Sequence, residues 1–205
     1  LPPPNANAAA HLEATVGVLR DLADAADGGL FALFTSHRDV RAAAAAMRAC
    51  ADAERWPLLV HGEDGRDVLL RRFRESGRAV LVGTSSFWEG VDVPGDALRG
   101  LVIAKLPFRV PTEPLTAAHA EAIAERGGDA FRDYMVPHAA LRLKQGFGRL
   151  IRSGTDRGVV VLCDPRAVTK TYGEALLATL PPARRVIDTW ARARIEVTQF
   201  YRRDQ

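Results

Sequence analysis

Five short apolar runs, separated by stretches of helical periodicity, constrain the fold of this 205-residue chain more than any other feature. The runs are LFALF (30–34), WPLLVH (56–61), AVLVG (79–83), GLVIAKLPF (100–108) and GVVVLCD (158–164). They lack regular apolar–polar alternation, as is typical of parallel strands that are buried on both faces. Strands that alternate with helices therefore predict an α/β fold, with a doubly wound and mainly parallel sheet flanked by helices.

Helical periodicity lies between these runs and on both sides of them. We predict helices over residues 11–26, 38–52, 66–76 and 170–179. Residues 112–153 are also helical in pattern, and we expect interruptions at Gly127–Gly128 and at Pro137. We divide the chain into a linker with a leading helix (1–28), one main domain (29–190) and a C-terminal tail (191–205).

Composition excludes several classes of protein. Apolar residues make up 47% of the chain, enough for a sizeable core, and a net charge of +3 does not by itself indicate nucleic acid. Cys50 and Cys163 form no CxxC pair, so we expect ordinary buried thiols, with neither a zinc site nor a disulfide framework. No apolar run approaches the roughly 18 residues of a membrane span. We therefore predict a cytoplasmic protein, and the start without Met predicts a piece of a longer one.

The loops that follow the strands are the candidate ligand sites, because ligands of such sheets bind beyond the carboxyl ends of the strands. These loops are Thr35–His37, His61–Gly65, Gly83–Gly95, Lys105–Pro111 and Asp164–Arg166. Thr35 and Ser36 have a second interpretation, as the N-cap of the helix that follows.

The longest of these loops, GTSSFWEGVDVPG (83–95), combines hydroxyls, glycines and two carboxylates. Hydroxyls and backbone N–H groups at a strand end can hold phosphate oxygens of nucleic acid. Glu89 and Asp92 could accept hydrogen bonds from ribose hydroxyls. The alternative is a tight turn that folds Phe87 and Trp88 into the core.

The segment QGFGRLIR (145–152) predicts a two-sided helix. Gln145, Arg149 and Arg152 fall within about 60° of one another on a helical wheel, and apolar side chains occupy the opposite side. Paired guanidiniums suit phosphate. A solvated basic face is the alternative, but it would leave the two glycines of the segment unexplained. Gly146 and Gly148 each cost a helix about 1 kcal/mol relative to Ala, which close approach of a ligand or another segment would explain.

Two elements of a complete phosphate site do not occur in the sequence. There is no GxxxxGK[ST] loop, and no acidic Asp-Glu pair follows a strand to hold Mg²⁺. The arginines would then be half of a site, and we expect no ATP hydrolysis by these 205 residues alone. The histidines His37, His61, His119 and His138 show no ligand spacing, and we predict no metal site.

Several segments resemble a known family in the same order along the chain. QGFGRLIR resembles motif VI (QxxGRxxR) of superfamily 2 helicases, GTSSFWEGVDVPG resembles motif V, and LFTSHRDV (33–40) resembles motif IV. Together with KLPFRVPTEPL (105–115), DRGVVVLCDPR (156–166) and KTYG (170–173), they resemble the bacterial DinG branch of the XPD-like helicases. The similarity extends from residue 29 to residue 182.

The resemblance implies the second RecA-like motor domain of an ATP-dependent DNA helicase, acting in DNA repair or replication. It implies arginine fingers at Arg149 and Arg152, with Gln145 positioning the nucleotide. The resemblance further implies nucleotide contacts at Glu89, Gly90, Asp92 and Gly148, and single-stranded DNA contacts at Thr35, Ser36, Thr84 and Ser85.

The same resemblance implies which groups come from outside the chain. ATP with Mg²⁺ would be held mainly by the first RecA-like domain of the same protein, which would be a partner together with single-stranded DNA. Relatives often carry an iron–sulfur cluster on four cysteines of that first domain, so no cluster is expected within this chain. Residues 112–138 would be a helical insertion of the family.

Two other functions remain as alternatives. A non-motor nucleic-acid-binding or interaction module could derive from the same fold, although intact Gln145, Arg149, Arg152 and Asp92 argue against degeneration. A free-standing α/β domain that binds a nucleotide or another small molecule is the third interpretation.

Overall fold

A five-stranded parallel sheet forms the centre of the protein. The computed structural model describes residues 1–4, 6–50, 54–84, 87, 97–151 and 157–203, and for Arg149 only the backbone. The strands are β1 (Leu30–Phe34), β2 (Leu58–Val60), β3 (Val80–Thr84), β4 (Gly100–Ile103) and β5 (Val159–Leu162). Their order across the sheet is β2-β3-β1-β4-β5, and every neighbouring pair is parallel. The predicted doubly wound parallel α/β fold is confirmed.

Helices cover both faces of this sheet. On one face, α1 (Ala8–Ala26) and α2 (His37–Arg48) pack against the side chains that β1 directs to that side. On the other face, α3 (Arg66–Ser76), α5 (Val136–Leu150) and α7 (Thr171–Ala178) complete a second apolar cluster. All five residues of β1 are buried, which explains why its sequence does not alternate.

The predicted strand 100–108 is too long, because hydrogen bonding to the neighbouring strands stops near Ile103. The N–H of Leu106 donates to the Asp164 carboxylate at 2.9 Å instead of to a strand. Pro107 has no N–H to donate. The chain therefore leaves the sheet as a loop that lies over its carboxyl edge.

Helix α1 begins at Ala8 and not at residue 11, because the side chain of Asn7 accepts a hydrogen bond from the Ala10 N–H at 2.9 Å. It ends at Ala26, and its C-cap residue Asp27 adopts the left-handed conformation. The next residue, Gly28, has φ +79°, and a Cβ at this position would lie 2.0 Å from the Arg78 carbonyl oxygen. This turn requires glycine for both reasons.

The stretch between β4 and β5 is helical, as predicted, but only one of its two predicted interruptions occurs. Helix α4 (Pro114–Glu125) ends before Gly127, which has φ +75°. Pro137 does not interrupt the chain: it lies in the first turn of α5, where a proline loses little. A π-helical turn (Phe131–Met135) leads directly into this helix.

The C-terminal part adds three helices and reaches back to the beginning of the chain. The short α6 (Arg166–Thr169) leads into α7, and α8 (Trp190–Arg202) packs against α1. The indole N–H of Trp190 donates to Asp21 at 2.8 Å, and the Tyr201 hydroxyl donates to the Arg99 carbonyl at 2.8 Å. Among the helices described here, none combines the length and apolar character needed to cross a membrane.

Candidate functional site

The parallel sheet brings the predicted strand-end loops to one edge. Because all five strands run in the same direction, their carboxyl ends meet there. Each strand places a polar residue at or just beyond its end: Thr35, His61, Thr84, Lys105 and Asp164. This edge is therefore where the sequence and the topology both locate a ligand site.

A small cleft lies between the end of β1, the loop after β4 and helix α5. Four polar side chains line it: Thr35, Lys105, Arg142 and Gln145. Its remaining walls are apolar and include Phe34 and Ile103. The cleft brings together Thr35, which we predicted to contact DNA, and Gln145, which we predicted to position a nucleotide.

From Gln145 to Leu150, helix α5 has the two-sided character predicted for QGFGRLIR, but the helix is shorter than predicted because it ends at Leu150 and Ile151 has an extended backbone. Leu143 and Leu150 are buried against the sheet, whereas Gln145 is exposed. The backbone of Arg149 lies in the same helix. The helix therefore presents Gln145 on the side opposite to the packed Leu143 and Leu150.

The two glycines of α5 lie in different surroundings. Gly146 is buried and lines the cleft. Gly148 is exposed, and a Cβ added there would meet no described atom within 4 Å. Packing among the described residues therefore gives no reason for glycine at 148, and close approach of a ligand or of another segment stays a prediction.

Lys105 is a cleft residue to which sequence reasoning gave no role. Its ammonium group pairs with the Asp39 carboxylate at 2.8 Å, and both side chains are only 21% exposed. The strand-end rule placed Lys105 in a candidate loop, which was the available signal. The pairing joins residues 66 positions apart, so no local pattern could have shown it.

The predicted DNA contacts of the first loops have different environments. Thr35 is exposed at the cleft. The Ser36 hydroxyl caps α2 by accepting a hydrogen bond from the Asp39 N–H at 3.1 Å, so the capping interpretation is correct for this residue. Thr84 is buried, and its hydroxyl lies 3.1 Å from Nδ1 of His61.

His61 belongs to a ring cluster that the sequence did not indicate. Its imidazole lies 4.6 Å from the ring of His37 and 4.7 Å from the ring of Phe87, measured between centroids. Burial, followed by the charges of His37 and Arg66, lowers the pKa of His61 below its ordinary value. Phe87 is 2% exposed, as the core interpretation of this aromatic residue expects.

Asp164 closes the edge on the side of β5 and fixes the loop after β4. Its carboxylate accepts hydrogen bonds from the backbone N–H groups of Leu106 and Arg166 and from the Arg166 guanidinium, the shortest at 2.6 Å. Burial alone would raise the pKa of Asp164, but these hydrogen bonds outweigh it and lower the pKa. This residue holds structure in place and is not exposed to a ligand.

The two cysteines differ from the prediction in one respect. Cys163 is buried, which raises the pKa of its thiol to about 12. Cys50 is only partly buried, because it lies just beyond the end of α2, and its thiol donates to the Ala46 carbonyl. The described residues contain no group of three metal-ligating side chains.

Several predicted site residues lie outside the described residues: Ser85, Glu89, Gly90, Asp92 and Arg152. Trp88 lies outside them as well. The side chain of Arg149 is likewise not described.

Comparison with known proteins agrees with this architecture. The family model described as the helicase C-terminal domain matches residues 19–183. The chain is 45% identical over 185 residues to the ATP-dependent DNA helicase YoaA of Escherichia coli, covering 90% of this chain and 29% of that protein. It is 46% identical over 160 residues to the ATP-dependent DNA helicase DinG of Photobacterium profundum, covering 76% of this chain and 23% of that protein.

Solved structures show the same fold at low sequence identity. An XPD helicase superposes with a TM-score of 0.55 at 18% identity, over 73% of this chain and 27% of that one. The C-terminal domain of Saccharomyces cerevisiae Dbp5 superposes with a TM-score of 0.52 at 16% identity, over 93% of each chain. These neighbours show that the chain has a RecA-like fold.

The relatives are much longer than this chain, which spans less than a third of the two helicases that it matches in sequence. The matched family model nevertheless covers most of the chain, and its limits include every strand of the sheet. The chain therefore belongs to the helicase C-terminal domain family, and its sequence is similar to those of the DinG and YoaA helicases.

Proposed function

We propose that this chain is the second motor domain of an ATP-dependent DNA helicase. The observation that carries the proposal is helix α5, which buries Leu143 and Leu150 and leaves Gln145 exposed beside a parallel sheet edge. The named activity of the DinG and YoaA relatives supports it. In this division, residues 29–190 are the motor domain, 112–138 are its insertion, and 1–28 and 191–205 flank it.

The proposed chemical role of the chain is electrostatic. In phosphoryl transfer to water, negative charge spreads over the oxygens of the transferred group, and positioned cations stabilise it. Arg149 and Arg152 would supply two permanently charged guanidiniums, with Gln145 positioning the nucleotide. Glu89, Gly90, Asp92 and Gly148 would line the nucleotide side. The arginines suit phosphate oxygens and not a cation, so Mg²⁺ would be held mainly by the first RecA-like domain.

The proposed nucleic-acid contact lies along the carboxyl edge. Thr35 is exposed there and can donate its hydroxyl to a phosphate oxygen. Ser36 keeps its donor while its oxygen caps α2, so both roles can coexist. Thr84 is buried beside His61, so its role would be to hold the end of β3 in place next to Ser85. Closure of the two motor domains around ATP would then change the positions at which they hold the DNA strand.

The test uses the complete polypeptide that contains this chain. Arg149→Ala should lower DNA-stimulated ATP hydrolysis by about 10³-fold or more, which is the range measured for arginine fingers. Binding of single-stranded DNA should change far less. Arg149→Lys should not restore hydrolysis, because lysine lacks the bidentate fork.

Two outcomes would contradict the proposal. Equal loss of hydrolysis and DNA binding would remove the finger assignment and favour the non-motor module. Sub-micromolar binding of ATP by the 205 residues alone would favour a free-standing nucleotide-binding domain. Arg78→Ala is the matched control, because it removes an arginine at the opposite edge of the sheet, where Arg78 pairs with Asp27.

A further inference from the structure

Lys105 occupies an unusual position for a surface cation. It lines the cleft of Thr35, Arg142 and Gln145, and only 21% of its side chain is exposed. Lysine normally keeps its strongly hydrated ammonium in water. The ammonium lies 2.8 Å from one carboxylate oxygen, and ammonium groups form charge-assisted hydrogen bonds with phosphate oxygens as well as with carboxylates.

The backbone on both sides of Lys105 is fixed by three separate parts of the chain. The Ala104 N–H donates to the Leu33 carbonyl of β1 at 2.9 Å. Nε2 of His11, in α1, bonds to the Ala104 carbonyl at 2.8 Å. The Leu106 N–H donates to Asp164 at 2.9 Å. Lys105 is thus presented from a rigid support, which reduces the entropy lost when it binds a ligand.

Asp39 has a stabilising partner besides Lys105. It lies in the first turn of α2, where the helix dipole favours a carboxylate. The helix dipole therefore offsets part of the cost when the ammonium moves away, and Lys105 can exchange one oxyanion for another.

We propose that Lys105 binds a backbone phosphate of single-stranded DNA in this cleft, and that Asp39 holds its ammonium when DNA is absent. The inference rests on the proposed function and adds a binding residue to it. The phosphodiester would accept hydrogen bonds from the Lys105 ammonium and the Thr35 hydroxyl, which line the same cleft. Loss of this contact weakens binding without removing the nucleotide site.

The experiment measures binding of a fluorescein-labelled thymidine oligonucleotide to the 205-residue chain by anisotropy at several salt concentrations. Lys105→Gln should weaken binding about tenfold at low salt, as expected for a hydrogen bond to a charged group. The slope of log affinity against log salt should fall by about 0.7, the value for one phosphate contact on a single strand. Lys105→Arg should keep most of the binding.

Asp39→Asn provides the test of the holding role. It should tighten binding about threefold, since Lys105 no longer has to leave a carboxylate. The gain should disappear when Lys105→Gln is also present. Arg78→Gln is the matched control, because it also removes one positive charge and one ion pair, but at the opposite sheet edge. Its effect on binding should stay below about twofold.

Four results would overturn the inference. Three of them are no oligonucleotide binding by the unchanged chain at low salt, equal effects of Lys105→Gln and Arg78→Gln, and weaker binding after Asp39→Asn. The fourth comes from a fluorescent ATP analogue: if Lys105→Gln weakens binding of the analogue and not of the oligonucleotide, the phosphate that Lys105 binds belongs to ATP. Because these readouts do not involve hydrolysis, they can fail while the Arg149 test succeeds.

Discussion

Two glycines of the molecule, Gly28 and Gly148, lie in opposite surroundings. At the amino edge of the sheet, Gly28 packs against the Arg78 carbonyl, and Arg99 donates to the Ala26 carbonyl at 2.8 Å. In α5, which lines the cleft through Gln145 and Gly146, a Cβ added to Gly148 would meet no described atom within 4 Å. Gly28 is explained by the fold itself, whereas Gly148 is not. The comparison indicates that a partner is to be sought along the exposed side of α5.

The largest effect should follow from a methyl group at the amino edge. Gly28→Ala would place a Cβ 2.0 Å from a carbonyl oxygen at a residue with φ +79°. Steric overlap and backbone strain together should cost about 3 to 4 kcal/mol of unfolding free energy. Urea denaturation followed by circular dichroism measures this loss, and a change below about 1 kcal/mol would break the comparison.

A somewhat smaller loss of stability should follow at the carboxyl edge when Asp164, which holds the loop after β4, is replaced. The Asp164 side chain is fully buried, and Arg166 beside it is 20% exposed. Asp164→Ala would leave the guanidinium and the Leu106 N–H without this acceptor, at a cost of about 3 kcal/mol. Thermal unfolding tests the loss, and a stability equal to that of the unchanged protein would show that Asp164 is dispensable for the fold.

A methyl group added at Gly148, in α5, should raise the stability of the chain instead of lowering it. Gly148→Ala meets no described atom and improves helix propensity, so the isolated chain should gain about 0.5 to 1 kcal/mol of stability. In the complete polypeptide the same change should lower ATP hydrolysis, because the proposed close approach would be blocked. Increased stability with unchanged hydrolysis would remove the functional reason for this glycine.

The smallest effect is a pH dependence from His61. Its pKa is lowered in the folded protein, so below the ordinary value of about 6.5 the unfolded chain binds more protons. The stability that His61 contributes is therefore present above that pH and is lost as the pH falls further. His61→Asn, which cannot titrate, should flatten the thermal midpoint between about pH 7 and pH 5. An unchanged pH profile would contradict this origin.

Local sequence patterns predicted the parts of the fold that depend on local physics. Apolar runs located every strand, and helical periodicity located the helices from α1 to α5. One error arose where a distant residue intervenes, because β4 ends early and the N–H of Leu106 donates to Asp164, 58 positions away. The other error is local, because Pro137 lies in the first turn of α5, where its missing N–H costs little, and so it interrupts nothing.

The candidate site was predicted in the same uneven way. Motif spacing identified Thr35 and Gln145, and the structure places both in one cleft. It did not identify Lys105, because a single lysine after a strand carries no pattern until Asp39 lies beside it. The His37–His61 ring contact was missed for the same reason, since its members come from different strand ends.

The hydrogen bonds around Lys105 also bear on how the protein folds. The bond from His11 to Ala104 joins residues 93 positions apart, and the bond from Leu106 to Asp164 joins residues 58 positions apart. Contacts between such distant residues form only after long loops have closed, and they therefore form late in folding. The cleft is assembled only when α1, β1 and the end of β5 are all in place. Its ability to bind a ligand should accordingly appear with the last step of folding.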